Sequence, residues 1–296
     1  MTLRVGLVVN PTAGGGRGMA AGEAAATELA GLGAQVNKVT GVDAAGALLA
    51  ARELVASGAV DVLAVVGGDG MVHLGVQAVA GTSTPLGLVP AGSGNDFARL
   101  LGLSPDDVPG SAAVVAAGHA RTVDLGCASW GTERRWFAGV MSTGFDSAVN
   151  ERGNRMRWPK GRRRYDLALV AELGAFRPRE VELVLDGVVL TAEAMLVAVG
   201  NGTSYGGGMH IAPGALVDDG LFHVTVVHRV SRVELLRVFP KVFRGAHVDH
   251  PAVSVHTARV VRVTAPGSVA YADGERLGDL PVTAECVPGA LSVLVA

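Results

Sequence analysis

The chain has 296 residues, of which 49% are hydrophobic and 18% are charged, so it is long and apolar enough to fold around a substantial core. Its net charge of -2 lacks the basic excess of a nucleic-acid-binding protein, and we expect no nucleic-acid partner. Only two cysteines occur, Cys127 and Cys286, which excludes a disulfide scaffold. We see neither a signal peptide nor an apolar run of ~20 residues, which predicts a cytoplasmic protein.

The first 122 residues alternate between short apolar runs and helix-like segments. The apolar runs predict strands over Val5–Val9, Ala34–Thr40, Asp61–Val66 and Pro85–Val89. Helices are expected over Met19–Leu32, from the cap Asp43 to Ser57, over Met71–Ala80, and after Asp96. Repeated strand–helix units predict an α/β domain with a parallel sheet over residues 1–122.

Short strands separated by turn signals dominate residues 123–288. Asp-Gly pairs such as Asp186-Gly187 and Asp273-Gly274 are typical of hairpin turns. This pattern predicts an antiparallel β-sandwich, interrupted by helices over Tyr165–Leu173 and Arg232–Arg244. A last strand over 289–296 can return to the first domain.

The segment Gly67-Gly68-Asp69-Gly70 directly follows the apolar run Val62–Val66. The glycines allow a sharp turn at the end of a strand and a close approach of phosphate groups to backbone amides. Asp69 then lies at the carboxyl edge of the predicted sheet, where α/β domains bind ligands, and a carboxylate there suits magnesium.

Two further glycine-rich loops follow predicted strands. Asn10 to Gly16 follows the first strand, and it is either a phosphate or ribose loop or an ordinary strand–helix turn. Ala91 to Arg99 follows the fourth strand and offers the Ser93 hydroxyl and a second acid, Asp96. Asn95 or Asp96 could equally be a helix N-cap. Two acid-bearing glycine loops at one sheet edge favour a nucleotide-phosphate site.

These motifs resemble the soluble bacterial lipid kinases of the diacylglycerol-kinase catalytic-domain family, which includes sphingosine-kinase-like proteins. The resemblance covers nearly the whole chain. The motifs that carry it, besides the three loops above, are Val123-Asp124-Leu125-Gly126, Ser142-Thr143-Gly144-Phe145-Asp146, Tyr205-Gly206-Gly207-Gly208-Met209, Ile211-Ala212-Pro213, Asp218-Asp219-Gly220-Leu221 and Asp273-Gly274-Glu275. It implies a Rossmann-like three-layer α/β domain of the NAD-kinase type, followed by a C-terminal antiparallel β-sandwich.

The resemblance also implies roles for individual residues. Asp69, Asp96 and Asp124 match acids that organise Mg²⁺, partly through water, and Glu275 matches the general base that accepts the proton of the lipid hydroxyl. A second, structural magnesium site matches Leu216, Asp219 and Leu221. Positions that match ATP contacts are Asn10, Thr40, Gly67, Gly68, Asp69, Gly70, Met71, Val72, His73, Ser93 and Asn95. Taken singly, Asp124, Asp219 and Glu275 read as a loop cap, a turn and an exposed strand residue.

Three positions depart from the family pattern. Met71 stands where threonine usually follows the GGDG segment, and a thioether cannot donate a hydrogen bond to phosphate. Either nucleotide affinity falls or a backbone amide makes the contact. His73 stands where asparagine is frequent, and Ser93 replaces threonine but keeps the hydroxyl.

Residues 152–164 concentrate seven cations around Trp158 in a chain of nearly neutral charge. We expect either peripheral contact with anionic membrane through Arg152–Arg164 or a solvated basic loop. The sequence therefore predicts an ATP- and Mg²⁺-dependent kinase of a membrane lipid, most simply one that converts diacylglycerol to phosphatidic acid. The alternatives are an NAD kinase and a catalytically weak nucleotide- or lipid-binding regulator. An exposed edge strand of the sandwich could also pair in a homodimer.

Overall fold

The computed structural model describes residues 2–10, 16, 18–39, 41, 43–105, 107–156, 158, 162–175 and 177–296. The chain divides into two compact units. The first unit comprises Met1–Leu125 and Val287–Ala296, and the second comprises Gly126–Cys286. Within the described residues, no helix is both long and apolar enough to cross a membrane.

A parallel sheet forms the centre of the first unit. Its strands are Arg4–Val9 (β1), Gln35–Val39 (β2), Val62–Gly67 (β3), Leu86–Pro90 (β4) and the end of Val282–Leu294 (β15). They run in the order β2-β1-β3-β4, and the end of β15 joins β4 in parallel through Val293 and Leu86. The helices are Gly18–Gly31, Ala44–Ala56, Asp69–Val79, Asp96–Leu100 and Val108–Ala117.

Helices cover both faces of this sheet. Alternate strand residues such as Val5 and Leu7 pack against Ala25 and Val115, from the helices Gly18–Gly31 and Val108–Ala117. On the other face, Gly75 of the helix Asp69–Val79 lies against the side chains of Leu86 and Val65. Because side chains alternate along a strand, one apolar run supplies both faces. The predicted three-layer α/β arrangement is confirmed.

Antiparallel strands dominate the second unit. The further strands are Ala120–Trp130 (β5), Glu133–Phe137 (β6), Val140–Gly144 (β7), Arg179–Leu185 (β8), Val188–Gly200 (β9), Phe222–His228 (β10), Val253–Ala258 (β11), Val260–Thr264 (β12), Val269–Ala272 (β13) and Glu275–Asp279 (β14). Antiparallel pairing joins β7–β9, β8–β9, β9–β10, β10–β11, β8–β12, β12–β15, β7–β13, β13–β14 and β5–β6. Phe137 and Phe222 stack within the core, with ring centroids 5.6 Å apart. The predicted antiparallel fold of this half is confirmed.

Helices of the second unit differ in part from the sequence prediction. They are Phe145–Arg155, Arg162–Ala175 and Arg232–Val238, followed by the 3-10 helices Phe239–Arg244 and Ala246–Asp249. The predicted helix Arg232–Arg244 changes to 3-10 geometry near Pro240, which has no N–H to donate to an α-helical hydrogen bond. The helix Phe145–Arg155 was not predicted, because its residues lack an apolar period.

Candidate nucleotide and catalytic sites

The two glycine loops that follow β3 and β4 touch through their backbones. These strands are neighbours, with Gly67 opposite Pro90, so their carboxyl ends lie side by side. A Cβ atom on Gly92 would overlap the backbone of Gly68, with the amide nitrogen of Gly68 2.8 Å away. Only glycine fits at position 92, and this explains one of the glycines that the motif requires.

The Asp69 carboxylate joins the two loops. One oxygen accepts a hydrogen bond from the amide of Asp96 at 2.7 Å, and the other accepts from the amide of Asn95 at 2.9 Å. Asp69 is also the first residue of the helix Asp69–Val79, where the helix dipole favours a negative charge. Each bond to an ionised acceptor is stronger than one between neutral groups. Asp69 therefore holds the loop conformation as well as offering an acid at the sheet edge.

Asn95 serves the loop itself. It is only 1% exposed and adopts a left-handed conformation, with φ of 60°. Its side-chain oxygen accepts from the amide of Gly92 at 3.0 Å, and its side-chain amide donates to the carbonyl of Gly92 at 2.9 Å. The predicted contact of Asn95 with a nucleotide stays a prediction. The next residue, Asp96, is buried, and its Oδ1 atom lies 3.8 Å from the Nη1 atom of Arg99.

The remaining predicted nucleotide contacts fall into two groups. Ser93 is exposed in its loop and Gly70 is exposed as the second residue of the helix Asp69–Val79, whereas Met71, Val72 and His73 are buried in the same helix. The Met71 amide donates to the carbonyl of Gly68 at 2.8 Å, and the Asn10 amide donates to Val66 at 3.3 Å. Thr40 and residues 11–15 lie outside the described residues. Met71, Val72 and His73 thus present core-facing side chains, a point that the sequence pattern did not indicate.

Asp124 lies on β5, where it is 4% exposed. Its carboxylate accepts from the amide of Gly289 at 2.8 Å, and Gly289 has a left-handed φ of 64° on β15. Among the described residues, no group of three or more His, Cys, Asp or Glu side chains is arranged to hold a metal. Direct coordination of one ion by Asp69, Asp96 and Asp124 together is therefore not the arrangement seen, and the water-mediated form of the prediction stays open.

Glu275 begins β14 at the tight hairpin Asp273-Gly274. Both turn residues have positive φ, 50° and 83°, as a two-residue hairpin turn requires. Glu275 is exposed, and it is paired in register with Ala272. The turn thus presents the Glu275 side chain to solvent from the end of a strand.

Asp273 fixes this hairpin to a distant segment. Its carboxylate accepts from three consecutive amides, those of Ala138 at 2.8 Å, Gly139 at 2.9 Å and Val140 at 3.2 Å. Sequence reasoning treated Asp273 only as a turn residue. The one available signal was an acid two residues before Glu275, since the partner amides lie more than 130 positions away.

Asn201 holds the same segment from its other side. It is fully buried, and its side-chain amide donates to the Ala138 carbonyl at 2.9 Å. The backbone amides of Asn201 and Gly202 both donate to the Gly139 carbonyl, each at 2.9 Å. Asn201 and Asp273 therefore clamp residues 138–140, and sequence reasoning missed Asn201 entirely.

The Tyr205–Met209 motif forms a closed turn. The backbones of Tyr205 and Met209 exchange two hydrogen bonds, and the three glycines between them have φ values of 63°, 82° and 102°. The Asp146 carboxyl lies close enough to the Tyr205 hydroxyl to disfavour its ionisation. Burial raises the pKa of Asp146, and burial together with this carboxyl raises the pKa of Tyr205 well above its usual value.

The predicted second magnesium site is a turn. The Asp219 carboxylate accepts from the amide of Leu221 at 3.0 Å, and Gly220 between them has a φ of 75°. Leu216 is 58% exposed in the preceding loop. Asp219 can use its second oxygen for a cation, so both readings of this loop, turn and metal site, are compatible with the geometry.

Comparison with known proteins accounts for nearly the whole chain. Residues 4–128 match the model of the diacylglycerol kinase catalytic domain, and residues 139–295 match that of the YegS C-terminal NAD kinase beta sandwich-like domain. A diacylglycerol kinase of Mycobacterium tuberculosis is 44% identical over 98% of this chain and 94% of its own length. The chain belongs to the diacylglycerol kinase family. This membership confirms the resemblance and the prediction of an enzyme of the lipid kinase class.

More distant relatives agree with this membership. A diacylglycerol kinase of Bacillus subtilis is 29% identical over 75% of the chain and 73% of its own length. The crystal structure of a putative diacylglycerol kinase from Bacillus anthracis covers 99% of the chain and 97% of its own, with a TM-score of 0.79 and 22% identity. The crystal structure of an NAD kinase from Archaeoglobus fulgidus, solved in complex with ATP, covers 99% of the chain and 93% of its own, with a TM-score of 0.56 and 16% identity. At these identities the two structures show the shared fold, and the predicted fold class is confirmed.

Proposed function

We propose that this member of the diacylglycerol kinase family transfers the γ-phosphoryl group of ATP, with Mg²⁺, to the hydroxyl of diacylglycerol and so forms phosphatidic acid. The observation that carries the proposal is the 44% identity to a named diacylglycerol kinase over nearly the full length of both chains. That extent includes both the glycine loops and the Asp273-Gly274-Glu275 hairpin.

ATP is the nucleotide that the glycine-loop junction suits. Gly68 and Gly92 leave backbone at the surface of the loops, Ser93 offers an exposed hydroxyl, and the helix after Gly68 begins at the same point. Helix N-termini and glycine loops bind phosphate groups through their amides. The ATP complex of the NAD kinase with the same fold supports this choice.

Carboxylate and backbone carbonyl oxygens make up the donor sets proposed for two Mg²⁺ ions. Asp69, Asp96 and Asp124 would hold one ion, in part through water, and oxygen ligands of this kind suit it. The carboxylate of Asp219 and the carbonyls of Leu216 and Leu221 would hold the second. When bound, the ion supplies positive charge that offsets the repulsion between the triphosphate and an incoming hydroxyl oxygen.

Glu275 is the proposed general base. Among the residues that the structure describes, no hydrogen bond or ion pair engages its exposed carboxylate. That carboxylate would take the proton from the lipid hydroxyl as the hydroxyl oxygen attacks the γ-phosphorus and ADP leaves. Asp273 and the clamped segment 138–140 would hold the turn that carries it.

The basic segment Arg152–Arg164 is a proposed contact with anionic membrane. Arg152 is paired with Glu172 at 2.5 Å and Arg155 with Glu151 at 3.1 Å, and both arginines line a cavity of about 500 Å³. Trp158 is 79% exposed. The remaining cations lie where side chains are not described, so this contact stays a proposal, as does a homodimer through an edge strand.

The deciding experiment is turnover of radiolabelled ATP with Mg²⁺ on mixed micelles of diacylglycerol, sphingosine, ceramide or monoacylglycerol, with NAD in a parallel reaction. Label in phosphatidic acid is expected. Label in another lipid would replace the substrate but keep the class. Label only in NADP would make the chain an NAD kinase. Tight ATP binding without product on any acceptor would favour a regulator.

A further inference from the structure

Residues 229–244 form a segment, here called the outer segment, whose inner side belongs to the core of the second unit. It contains the helix Arg232–Val238 and the 3-10 helix Phe239–Arg244. Leu235, Val238 and Val242 are buried, and Leu235 and Val242 pack in the cluster around Ile211. This inner stripe attaches the outer segment to the fold.

The outward side is apolar as well. Val233 is 58% exposed, Leu236 is 55% exposed and Phe243 is 46% exposed. Val233 and Leu236 are three residues apart, so they lie on one face of the helix. A surface helix normally carries polar residues opposite its buried stripe. Exposed apolar side chains gathered in one short segment therefore indicate a binding surface.

Cations flank these apolar residues in the sequence. Between Arg229 and Arg244 the sequence has five cations and one carboxylate, in a chain whose net charge is -2. The carboxylate, Glu234, forms an ion pair with Arg237 at 3.7 Å and a hydrogen bond with the His250 ring at 2.8 Å. Among the described residues, no ion pair involves Arg232, Lys241 or Arg244. The outer segment therefore offers positive charge that the fold does not neutralise.

We propose that the outer segment docks on the surface of an anionic phospholipid bilayer. Leu236 and Phe243 would enter the interface, and Arg232, Lys241 and Arg244 would face the anionic headgroups. A symmetric contact between two copies is disfavoured, because it would bring the same cations together. The outer segment adjoins the helices that flank the basic segment, since Phe239 packs with Phe145 and Ala168.

The first test is co-sedimentation with vesicles of phosphatidylcholine, with or without phosphatidylglycerol, in the absence of ATP and diacylglycerol. The double variant Leu236→Asp, Phe243→Asp should bind the anionic vesicles at least about tenfold more weakly than the parent protein. Leu49→Asp and Val188→Asp are matched controls, because both residues are about as exposed (60% and 62%) on other elements. These controls should bind like the parent.

The charge arm uses Arg232→Glu, Lys241→Glu and Arg244→Glu together. The variant should lose the preference for anionic vesicles, and the binding of the parent should weaken as salt is added. Equal binding of parent and double variant would overturn the proposal, as would equal binding of the parent to neutral and anionic vesicles. A loss of self-association in the double variant, with vesicle binding unchanged, would assign the surface to a second copy instead.

This inference rests on the proposed function, because a bilayer partner is the one that a kinase of membrane lipids must reach. Activity measurements distinguish a failure of the docking proposal from a failure of the proposed function. On a short-chain diacylglycerol dispersed in buffer, the double variant should turn over like the parent, and on vesicles containing long-chain diacylglycerol it should lose most activity. If the parent phosphorylates no lipid, the proposed function fails, while the sedimentation result still decides the docking surface.

Discussion

A single carboxylate holds the backbone in place at the glycine-loop junction, and another does so at the Asp273-Gly274 hairpin. At the glycine-loop junction the Asp69 carboxylate accepts from the amides of Asn95 and Asp96, and in the second unit the Asp273 carboxylate accepts from three amides at 138–140. Each carboxylate ties a turn to a segment far along the chain. Both turns therefore depend on an ionised acceptor that only a carboxylate supplies with two oxygens.

The difference lies in where the proposed chemistry is. Asp69 is at once the acid proposed for Mg²⁺ and the residue that joins the loops, so structure and chemistry cannot be varied separately there. In the hairpin the two tasks fall to different residues, because Asp273 holds the turn and the exposed Glu275 is the proposed base. Substitutions at Glu275 should therefore report on catalysis alone.

The largest effect on turnover is expected for Glu275→Gln. Loss of a general base should lower kcat by about 10²–10⁴-fold, while the free energy of unfolding stays within about 0.5 kcal/mol, because the side chain is exposed. Steady-state kinetics, ATP binding by calorimetry and urea unfolding measure the three quantities. Glu182→Gln, an exposed strand glutamate in the same unit, is the control. Full turnover by the Glu275→Gln variant would remove the base assignment.

Asp69→Asn should lower both activity and stability. Asparagine offers one acceptor oxygen, and its amide would face a backbone N–H, so the free energy of unfolding should fall by about 1.5–3 kcal/mol. Turnover should fall by about 10²–10³-fold as well. Asp43→Asn is the control, because this N-cap needs only one acceptor for the Gly46 amide, at 2.8 Å. Unchanged stability in Asp69→Asn would contradict the joining role.

Asp273→Asn should act as a positioning change of intermediate size. One of its three amides loses its acceptor, which should cost about 1.5–3 kcal/mol of unfolding free energy. A displaced Glu275 should lower kcat by roughly 10- to 100-fold, with little change in ATP affinity.

A second hairpin provides a matched control for Asp273. Asp186 has the same left-handed turn with Gly187, and its carboxylate accepts from the amides of Arg259 and Val260. Asp186→Asn should lose similar stability but keep turnover. Equal activity in the two variants would show that Asp273 does no more than hold a hairpin.

Local sequence signals predicted the elements whose causes are local. The strand Val62–Gly67 and the loop after it were predicted because an apolar run and a glycine pair are visible within ten residues. The N-cap Asp43 was predicted for the same reason, and its side chain accepts from Gly46 as expected. The family motifs added the order of the acids, which no single loop indicates.

Long-range contacts could not be predicted in this way. Asn201 and Asp273 hydrogen-bond to the backbone of residues 138–140, which lie far from them in the sequence. Nothing in the sequence near residues 138–140 indicates which side chain their backbone groups will bond. The polar helix Phe145–Arg155 was missed because only Phe145 and Val149 bury apolar side chains in it. Position 71 was predicted from the family pattern to contact the nucleotide, and no local signal indicated that its side chain would be buried in the helix.

The smallest effect on turnover is expected for Met71→Thr. The Met71 side chain is 6% exposed and its amide already donates to Gly68, so a threonine hydroxyl there should change ATP affinity by no more than about threefold. Stability should fall by about 1–3 kcal/mol, because a buried thioether is replaced by a shorter side chain with a polar group. Met71→Leu keeps the volume and is the control. If ATP binding tightens by an order of magnitude in Met71→Thr but not in Met71→Leu, the side chain at position 71 contacts the nucleotide. The helix and the glycine loops would then have to move on binding, so that this buried position becomes accessible to ATP.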